Sequence, residues 1–329
     1  MPTRAPTDAP ILDVDLLRFE RGSATARRAV VDGVTRSLGT GFVYARHDLP
    51  VAAVDEAYAL LARFFHLPRE VKERYVVPGS RGQTGYTGLL VETAAGAAAA
   101  DWKEMLNWGL ELPAGHPLRR AYPHRYAPRT LPEAEVPGIG LALGRLWDAL
   151  FDLQRRFLRV VAVGIGCHER FFDGMLDGGP TLCRALRYPA MALAPDAAHV
   201  WAGAHGDINL VTALPRATAR GLQVEVGGRW VDATAPADHA ILNSGMRLER
   251  LTNGRVAAGV HRVVADPDQV GERLSVVQFC HPTPNTVLGP VPSCVGPDRP
   301  LRYATVEAGA WLDQVLYDIN LVEEARRRP

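Results

Sequence analysis

Two histidines and one aspartate have the types and spacing that could hold a divalent metal. His205 and Asp207 stand two residues apart, so on a β-strand their side chains would project from the same face. His261 lies in the β-prone run Gly-Val-His-Arg-Val-Val at 259–264, which could fold back beside that strand. Two neutral imidazoles and one carboxylate would leave three coordination positions open, which suits Fe(II) that must bind a chelating acid and dioxygen together. Zinc would normally take a closed tetrahedral set or keep a single open position.

Arg273 and Ser275 could bind the far end of such an acid. They follow His261 in the chain and share one face of a predicted strand. A guanidinium offers a fork of donors for a carboxylate, and the hydroxyl adds a third donor. A keto dicarboxylate could therefore chelate iron at one end and be held by this pair at the other. Taken alone, Arg273 would more often make a structural ion pair; its position after the two histidines and the aspartate favours the binding role.

Further motifs surround these residues in a fixed order. They are GFV at 41–43, DWKE at 101–104, HGDINLVTAL at 205–214, GLQV at 221–224, GRWV at 228–231, LNSG at 242–245, LERLTNG at 248–254, HRV at 261–263, RLS at 273–275 and FCHP at 279–282. Their order resembles the isopenicillin N synthase-like family of Fe(II)- and 2-oxoglutarate-dependent oxygenases over nearly the whole chain.

The resemblance implies a double-stranded β-helix, or jelly-roll, core and a role for each matching residue. His205, Asp207 and His261 would bind iron, and Arg273 with Ser275 would bind the distal carboxylate of 2-oxoglutarate. The implied reaction consumes O2 and 2-oxoglutarate and oxidises an unactivated C–H bond of a small molecule by hydroxylation, desaturation or ring closure.

The resemblance also suggests residues that contact the co-substrate or the substrate. Tyr188 matches an aromatic position that often reaches the co-substrate, although a half-buried strand residue is an equal alternative. Arg184 shares a predicted strand face with Tyr188, and the run Arg-Ala-Leu-Arg-Tyr-Pro at 184–189 is similar to that of ethylene-forming and cephalosporin-ring-expanding relatives. We hypothesise that Arg184 holds a substrate carboxylate; a structural arginine is the alternative. Further candidates for substrate contact are Asn209, Tyr86, Trp102, Glu104 and Phe279; for the first four a structural role is an equal alternative.

The chain departs from the family pattern at three positions. Leu186 stands where an asparagine is frequent, Met246 where an aspartate is usual, and Gly206 where threonine or serine is more common. None of the three is a predicted iron ligand, so the departures bear on how substrate and co-substrate are placed and leave the reaction class unchanged.

The elements that must position these residues change character near residue 180. Upstream, amphipathic periodicity predicts helices at 23–38 (with Ser23 as cap), 54–65 and 139–172, and short strands at 10–15 and 42–44. Residues 78–100 and 113–138 are predicted to be irregular, and the first of these segments could form a lid. Downstream, short β-prone runs alternate with turn signals, including Gly227-Gly228 and Asn253-Gly254, which are typical of hairpins in a sandwich or barrel.

We therefore predict an α+β fold that forms one oxygenase domain over residues 1–329. Residues 1–180 would supply mainly helical support and N-terminal strands. Residues 181–300 would form the jelly-roll core with the metal site, and residues 301–329 a C-terminal helical segment.

Composition narrows the partners and the location. The 329 residues carry 37 basic and 36 acidic side chains, and a net charge of +1 creates no field for nucleic acid or an anionic membrane. The N-terminus lacks the apolar core of a signal peptide, and no apolar run is long enough to span a bilayer. Four dispersed cysteines favour reduced thiols in the cytoplasm. The basic run at 326–328 is expected to be a solvated tail, the partner a small-molecule substrate, and the protein a monomer.

Other functions remain open on the sequence alone. An iron oxidase that uses no 2-oxoglutarate, as isopenicillin N synthase itself, would carry the same Arg-x-Ser pair. A binding or regulatory protein could keep the three metal ligands without turnover. A zinc hydrolase is the most distant alternative.

Overall fold

The structure, a computed structural model, describes residues 11–80, 82–93, 99–266 and 268–318. The expectations for the first ten residues and for the basic run at 326–328 lie outside these ranges. The helices are α1 Leu16–Arg21, α2 Ala24–Ser37, α3 Val51–Phe65, α4 Arg69–Lys72, α5 Pro117–Ala121, α6 Ile139–Gly164, α7 Asp173–Leu176, α8 Met246–Leu251 and α9 Ala308–Asp318.

The strands are concentrated after residue 180, as predicted. They are β1 Asp13–Asp15, β2 Phe42–Arg46, β3 Gly85–Thr87, β4 Glu104–Gly109, β5 Leu182–Tyr188, β6 Ala202–Gly206, β7 Val211–Leu214, β8 Leu222–Val226, β9 Arg229–Asp232, β10 His239–Ser244, β11 Val260–Val263, β12 Arg273–Cys280, β13 Val287–Leu288 and β14 Val306–Glu307.

In the described part of the chain, two sheets form the core. The larger sheet has the order β1-β2-β10-β7-β12-β5-β4-β3, and the smaller has the order β6-β11-β8-β9. Side chains of both sheets, among them Leu186, Leu214 and Val263, pack together in one apolar cluster between the sheets. The N-terminal strands thus extend the larger sheet of a jelly roll, and the predicted fold class is confirmed.

Helices cover the outer face of the larger sheet. Neighbouring residues on a strand point to opposite faces, so Leu186 packs between the sheets while Ala185 joins the apolar cluster with α6. The buried Gln154 near the middle of α6 donates from Nε2 to the carbonyls of Val211 (3.0 Å) and Gln278 (2.7 Å). These bonds fix α6 against β7 and β12.

Local sequence signals account for several helix boundaries. The Ser23 hydroxyl accepts a hydrogen bond from the Ala26 amide at 3.2 Å and caps α2, as predicted. The prediction of one helix over 139–172 is wrong, because α6 ends at Gly164. Gly166 has a φ of +79°, which favours glycine and interrupts the helical path. Apolar residues that continue the periodicity to Phe172 pack in the core from the turn beyond.

Two dipeptides were predicted to form hairpin turns, and the structure confirms only one of them. Gly227-Gly228 joins β8 to β9 with φ angles of 58° and 77°, so this hairpin is confirmed. Asn253-Gly254 forms no hairpin; with φ angles of 52° and 77° it ends the turn that follows α8. The Asn253 side chain donates to the carbonyl of Pro300 at 3.1 Å, which ties this turn to a distant segment.

The segments predicted to be irregular contain short elements. Residues 78–100 include β3, and residues 113–138 include α5. The lid expected at 78–100 falls partly on residue 81 and residues 94–98, which lie outside the described residues. No helix in the described part of the chain is both long and apolar enough to cross a membrane.

Candidate metal and co-substrate site

The three predicted metal ligands converge where β6 meets β11. His205 lies directly opposite His261 in the antiparallel register, and their ring centroids are 4.4 Å apart. Asp207 follows the end of β6. One potential ligand atom from each of the three residues lies within 4.8 Å of the other two, which is close enough for one cation to bind all three.

Backbone carbonyls orient both imidazoles. Nδ1 of His205 lies 2.8 Å from the carbonyl oxygen of Gly203, and Nδ1 of His261 lies 3.3 Å from that of Gly259. Because a carbonyl oxygen can only accept, Nδ1 carries the proton in each neutral ring, and Nε2 keeps its lone pair for a metal. Desolvation by the surrounding protein, together with the nearby His261, lowers the pKa of His205 to about 4 and so favours the neutral ring.

Two hydrogen bonds hold the Asp207 carboxylate. Its Oδ2 accepts from the Thr212 hydroxyl and, at 2.7 Å, from Nδ2 of Asn243, which leaves Oδ1 for a cation. Burial would raise the pKa of Asp207, but the two imidazoles and these hydrogen bonds outweigh burial and hold the pKa below its usual value. The donors are thus two imidazole nitrogens and one ionised carboxylate, a set that fits Fe(II) with open positions.

Arg273 is a buried cation in the same cavity. It is 2% exposed, and its Nη1 and Nε donate to the Ser275 hydroxyl (2.8 Å) and to the carbonyl of Ala219 (3.2 Å). Its guanidinium lies 5.1 Å from the ring centroid of Tyr188, its cross-strand neighbour. Burial lowers the pKa of Arg273. No carboxylate in the described ranges pairs with it, so the site fits a ligand that brings its own.

One cavity brings most of the predicted site residues together. Its lining includes the three predicted metal ligands and the predicted co-substrate pair, which are His205, Asp207, His261, Arg273 and Ser275. Tyr188, Arg184 and Phe279 also line the cavity, together with Phe42, Lys103, Leu186, Ala202, Thr212, Leu214, Leu222, Ile241, Asn243, Val263 and Val277. The predicted metal and co-substrate residues therefore share one space with two of the proposed substrate contacts.

Asn209 does not line this cavity. It was expected to share the face of His205 and Asp207, but β6 ends at Gly206 and the strand alternation ends with it. The buried Asn209 instead donates from Nδ2 to the Thr212 hydroxyl at 2.8 Å. Since that hydroxyl donates to Asp207, Asn209 supports the carboxylate indirectly.

Tyr86, Trp102 and Glu104 also lie away from the cavity lining. Glu104 is 1% exposed, its Oε2 lies 2.6 Å from Lys72 Nζ, and its Oε1 lies 2.6 Å from Arg187 Nη1. The Tyr86 hydroxyl donates to the same carboxylate at 2.5 Å. Trp102 packs between the sheets, and its Nε1 donates to the Ala190 carbonyl at 3.4 Å. These contacts indicate structural roles.

A substitution at Glu104 tests this reassignment. We expect Glu104→Gln to lower the free energy of unfolding by about 3 kcal/mol, because it leaves two cations without their buried partner. The exposed Glu56, paired with Arg145 at 3.4 Å, provides a control, and Glu56→Gln should cost about 0.5 kcal/mol or less. Denaturant unfolding measures both. An unchanged unfolding curve with a changed KM for substrate would support a substrate contact at Glu104 instead.

The sequence reasoning did not single out three residues that shape the site. Thr212 and Asn243 bind the Asp207 carboxylate, and Lys103 lines the cavity. Each lies inside a motif quoted above, so its position was visible, but its contacts are long-range. For Lys103, strand alternation beside the inward-pointing Met105 was the available signal.

Both the N-terminal and the C-terminal part of the chain match models of known protein families. Residues 9–134 match the family described as non-haem dioxygenase in morphine synthesis N-terminal, and residues 180–282 match the 2OG-Fe(II) oxygenase superfamily. The chain is 28% identical to mugineic-acid 3-dioxygenase of Hordeum vulgare, over 94% of this chain and 84% of that protein.

Two solved structures have the same architecture. A 2OG-Fe(II) oxygenase family protein from Caulobacter crescentus is 31% identical, with a TM-score of 0.83 over 94% of this chain and 99% of that one. Neurospora crassa T7H, in complex with alpha-KG and thymine, is 25% identical, with a TM-score of 0.81 over 96% of this chain and 99% of that one.

Proposed function

Because the chain belongs to the 2OG-Fe(II) oxygenase superfamily, among the isopenicillin N synthase-like enzymes, we propose that it oxidises an unactivated C–H bond of a small, carboxylate-bearing metabolite. The chain is a dioxygenase that uses Fe(II), 2-oxoglutarate and O2. We further propose that oxidation of the metabolite is coupled to the formation of succinate and CO2. Thymine in the complex of one relative and mugineic acid in the name of another differ chemically, so the relatives support only a small-molecule substrate.

The observation that carries this proposal is the shared cavity of Arg273 and the three metal ligands. A buried guanidinium without an anionic partner is costly, and its retention is explained if a ligand supplies the missing carboxylate. A dicarboxylic keto acid supplies that group at one end and a metal chelator at the other. The same acid is the co-substrate of the superfamily to which the chain belongs.

Each residue of the site has a definable task in this reaction. Nε2 of the two histidines and Oδ1 of Asp207 would hold iron, which supplies the oxidation of the C–H bond when bound. Thr212 and Asn243 keep the carboxylate in place. Arg273 and Ser275 would bind and orient the distal carboxylate of 2-oxoglutarate.

Apolar side chains form part of the cavity lining. Leu186, Leu214 and Val277 line the cavity together with the metal ligands and Arg273. Removing water strengthens the electrostatic contacts of Arg273 and limits side reactions. Phe279 contributes an aromatic wall on the side of Arg184.

The stoichiometry of the reaction tests the proposal. With Fe(II), 2-oxoglutarate and a metabolite panel, we expect the succinate formed, the O2 consumed and the product to appear in equal amounts. Product formed without 2-oxoglutarate and without succinate would identify an oxidase of the isopenicillin N synthase type. No O2 consumption with any metabolite, despite iron and 2-oxoglutarate binding, would favour a binding protein.

A further inference from the structure

Two cations that line the cavity share one carboxylate of the chain itself. Arg184 Nη1 lies 3.6 Å from Oε1 of Glu92, and Lys103 Nζ lies 3.2 Å from its Oε2. The side chains are 14%, 8% and 18% exposed for Arg184, Lys103 and Glu92. Each carboxylate oxygen thus faces a different cation, so the spacing of the two cations accommodates a single carboxylate.

Both cations are held in place by other groups. Arg184 donates from Nε to Oδ1 of Asn107 at 2.7 Å and from Nη2 to the carbonyl of Gly82 at 3.0 Å. Lys103 pairs with Asp101 at 2.7 Å, and Asp101 also accepts from the Gly203 amide at 3.0 Å. The positions of the two cations therefore do not depend on Glu92 alone.

We propose that Arg184 and Lys103 form the binding site for the substrate carboxylate, and that this carboxylate displaces Glu92 when the substrate binds. The proposal rests on the proposed function and adds Lys103 and Glu92 to its substrate site. The two contacts that must break are long, since charge-assisted hydrogen bonds are normally about 2.7–2.9 Å and Glu92 lies 3.6 Å from Arg184 and 3.2 Å from Lys103.

The charge balance requires the displacement. Two cations, Arg184 and Lys103, face two anions, Asp101 and Glu92, in the present arrangement. A second carboxylate added beside Glu92 would leave a buried negative charge without a partner, which is strongly unfavourable. Replacement of Glu92 keeps the balance. A neutral substrate would leave Glu92 where it is, so substitution of Glu92 distinguishes the two substrate classes.

The ionisation states agree with this arrangement. Burial would lower the pKa of Lys103, but Glu92 and Asp101 outweigh it and raise that pKa, so Lys103 is charged. Burial would raise the pKa of Glu92, but Arg184 and Lys103 outweigh it and lower that pKa. The site therefore holds charged partners that a substrate carboxylate can replace one for one.

Anaerobic binding to the Fe(II)- and 2-oxoglutarate-loaded protein tests the proposal without turnover. The probes are small monocarboxylic acids, each paired with its methyl ester, and equilibrium dialysis gives the ratio of acid affinity to ester affinity. We expect Glu92→Gln to raise this ratio about tenfold because the internal competitor loses its charge, and Arg184→Met and Lys103→Met each to lower it about tenfold. Glu56→Gln, at an exposed ion pair, should leave the ratio unchanged.

The outcomes separate this proposal from the proposed function. If the ratio of acid affinity to ester affinity in Glu92→Gln is equal to or below that of the unsubstituted protein, the substrate carboxylate does not displace Glu92. If the ratio is unchanged in both Arg184→Met and Lys103→Met, these two residues do not bind the substrate carboxylate. Should Glu92→Gln fail to fold, Glu92→Asp shortens the side chain and should raise the ratio by a smaller factor. Since O2 is absent, these results hold whether or not succinate is later formed, and the stoichiometry of turnover tests the function separately.

Discussion

Replacement of Arg273 by methionine is expected to raise the KM for 2-oxoglutarate about 100-fold or more, because a buried charge pair with the distal carboxylate is worth roughly 3–5 kcal/mol. Steady-state O2 consumption at varied 2-oxoglutarate measures this KM. The same substitution removes a buried cation that has no anionic partner among the described residues. The free energy of unfolding of the protein without ligands should therefore stay the same or increase.

These two effects together distinguish a ligand site from a structural ion pair. Ser275→Ala is the matched control, since it removes one neutral donor from the same pair and should raise the KM by about tenfold or less. If Arg273 were structural, Arg273→Met would lower the free energy of unfolding and leave the KM nearly unchanged. That result would remove the observation on which the proposed function depends.

The site was predictable from sequence where short-range patterns apply. The spacing of His205 and Asp207 and the β-prone run around His261 suggested three ligands on neighbouring strands. The register confirms the strand pairing, with His205 opposite His261. Strand alternation also placed Arg184, Leu186 and Tyr188 on one face, and all three line the cavity. Whether each residue serves the predicted role stays a prediction that the substitutions described here test.

The prediction failed where the relevant contact is long-range. The strand Glu104–Gly109 was not predicted, because it is buried on both faces and shows no alternation of apolar and polar residues. Its pairing with β5 decides that Lys103 faces the cavity and Glu104 the ion pair with Lys72. Strand alternation places Lys103 on the face of Met105 and Glu104 on the opposite face, but this signal can be used only once the strand itself has been predicted.

Two further errors come from signals with more than one meaning. Asn-Gly favours positive φ, which suits a hairpin and the end of a helix equally, and only the packing of Asn253 on a distant segment decides between them. Helical periodicity persisted from Gly164 to Phe172 because both the helix and the turn beyond it bury apolar side chains. A pattern of apolar residues at helical spacing therefore predicted a helix longer than the one that forms.

The electrostatics of the cavity follow from how the chain distributes its charges. The metal ligands lie on and beside the smaller sheet, while Arg273, Arg184 and Lys103 lie on or beside the larger one. The cavity between the sheets thus places the Asp207 carboxylate and the predicted iron site opposite Arg273, Arg184 and Lys103, while Glu92 pairs with the last two. This arrangement suits anionic ligands that reach from the larger sheet towards the metal site.

Replacement of His261 by alanine is expected to lower turnover by about 1,000-fold or more, since losing one of three metal ligands removes several kcal/mol of stabilisation and each 1.36 kcal/mol is tenfold in rate. Fe(II) affinity, measured by anaerobic titration, should fall with it. His261 lies on β11 between two neighbouring strands, and His205 lies opposite it on the edge strand β6. His205→Ala should therefore lower the Fe(II) affinity as much as His261→Ala does, but lower the free energy of unfolding less. His66→Ala changes an exposed histidine, 57% exposed and paired with Glu272, and should alter neither quantity. Iron binding and turnover that survive in both His205→Ala and His261→Ala would show that the three side chains do not form the metal centre, whatever their proximity.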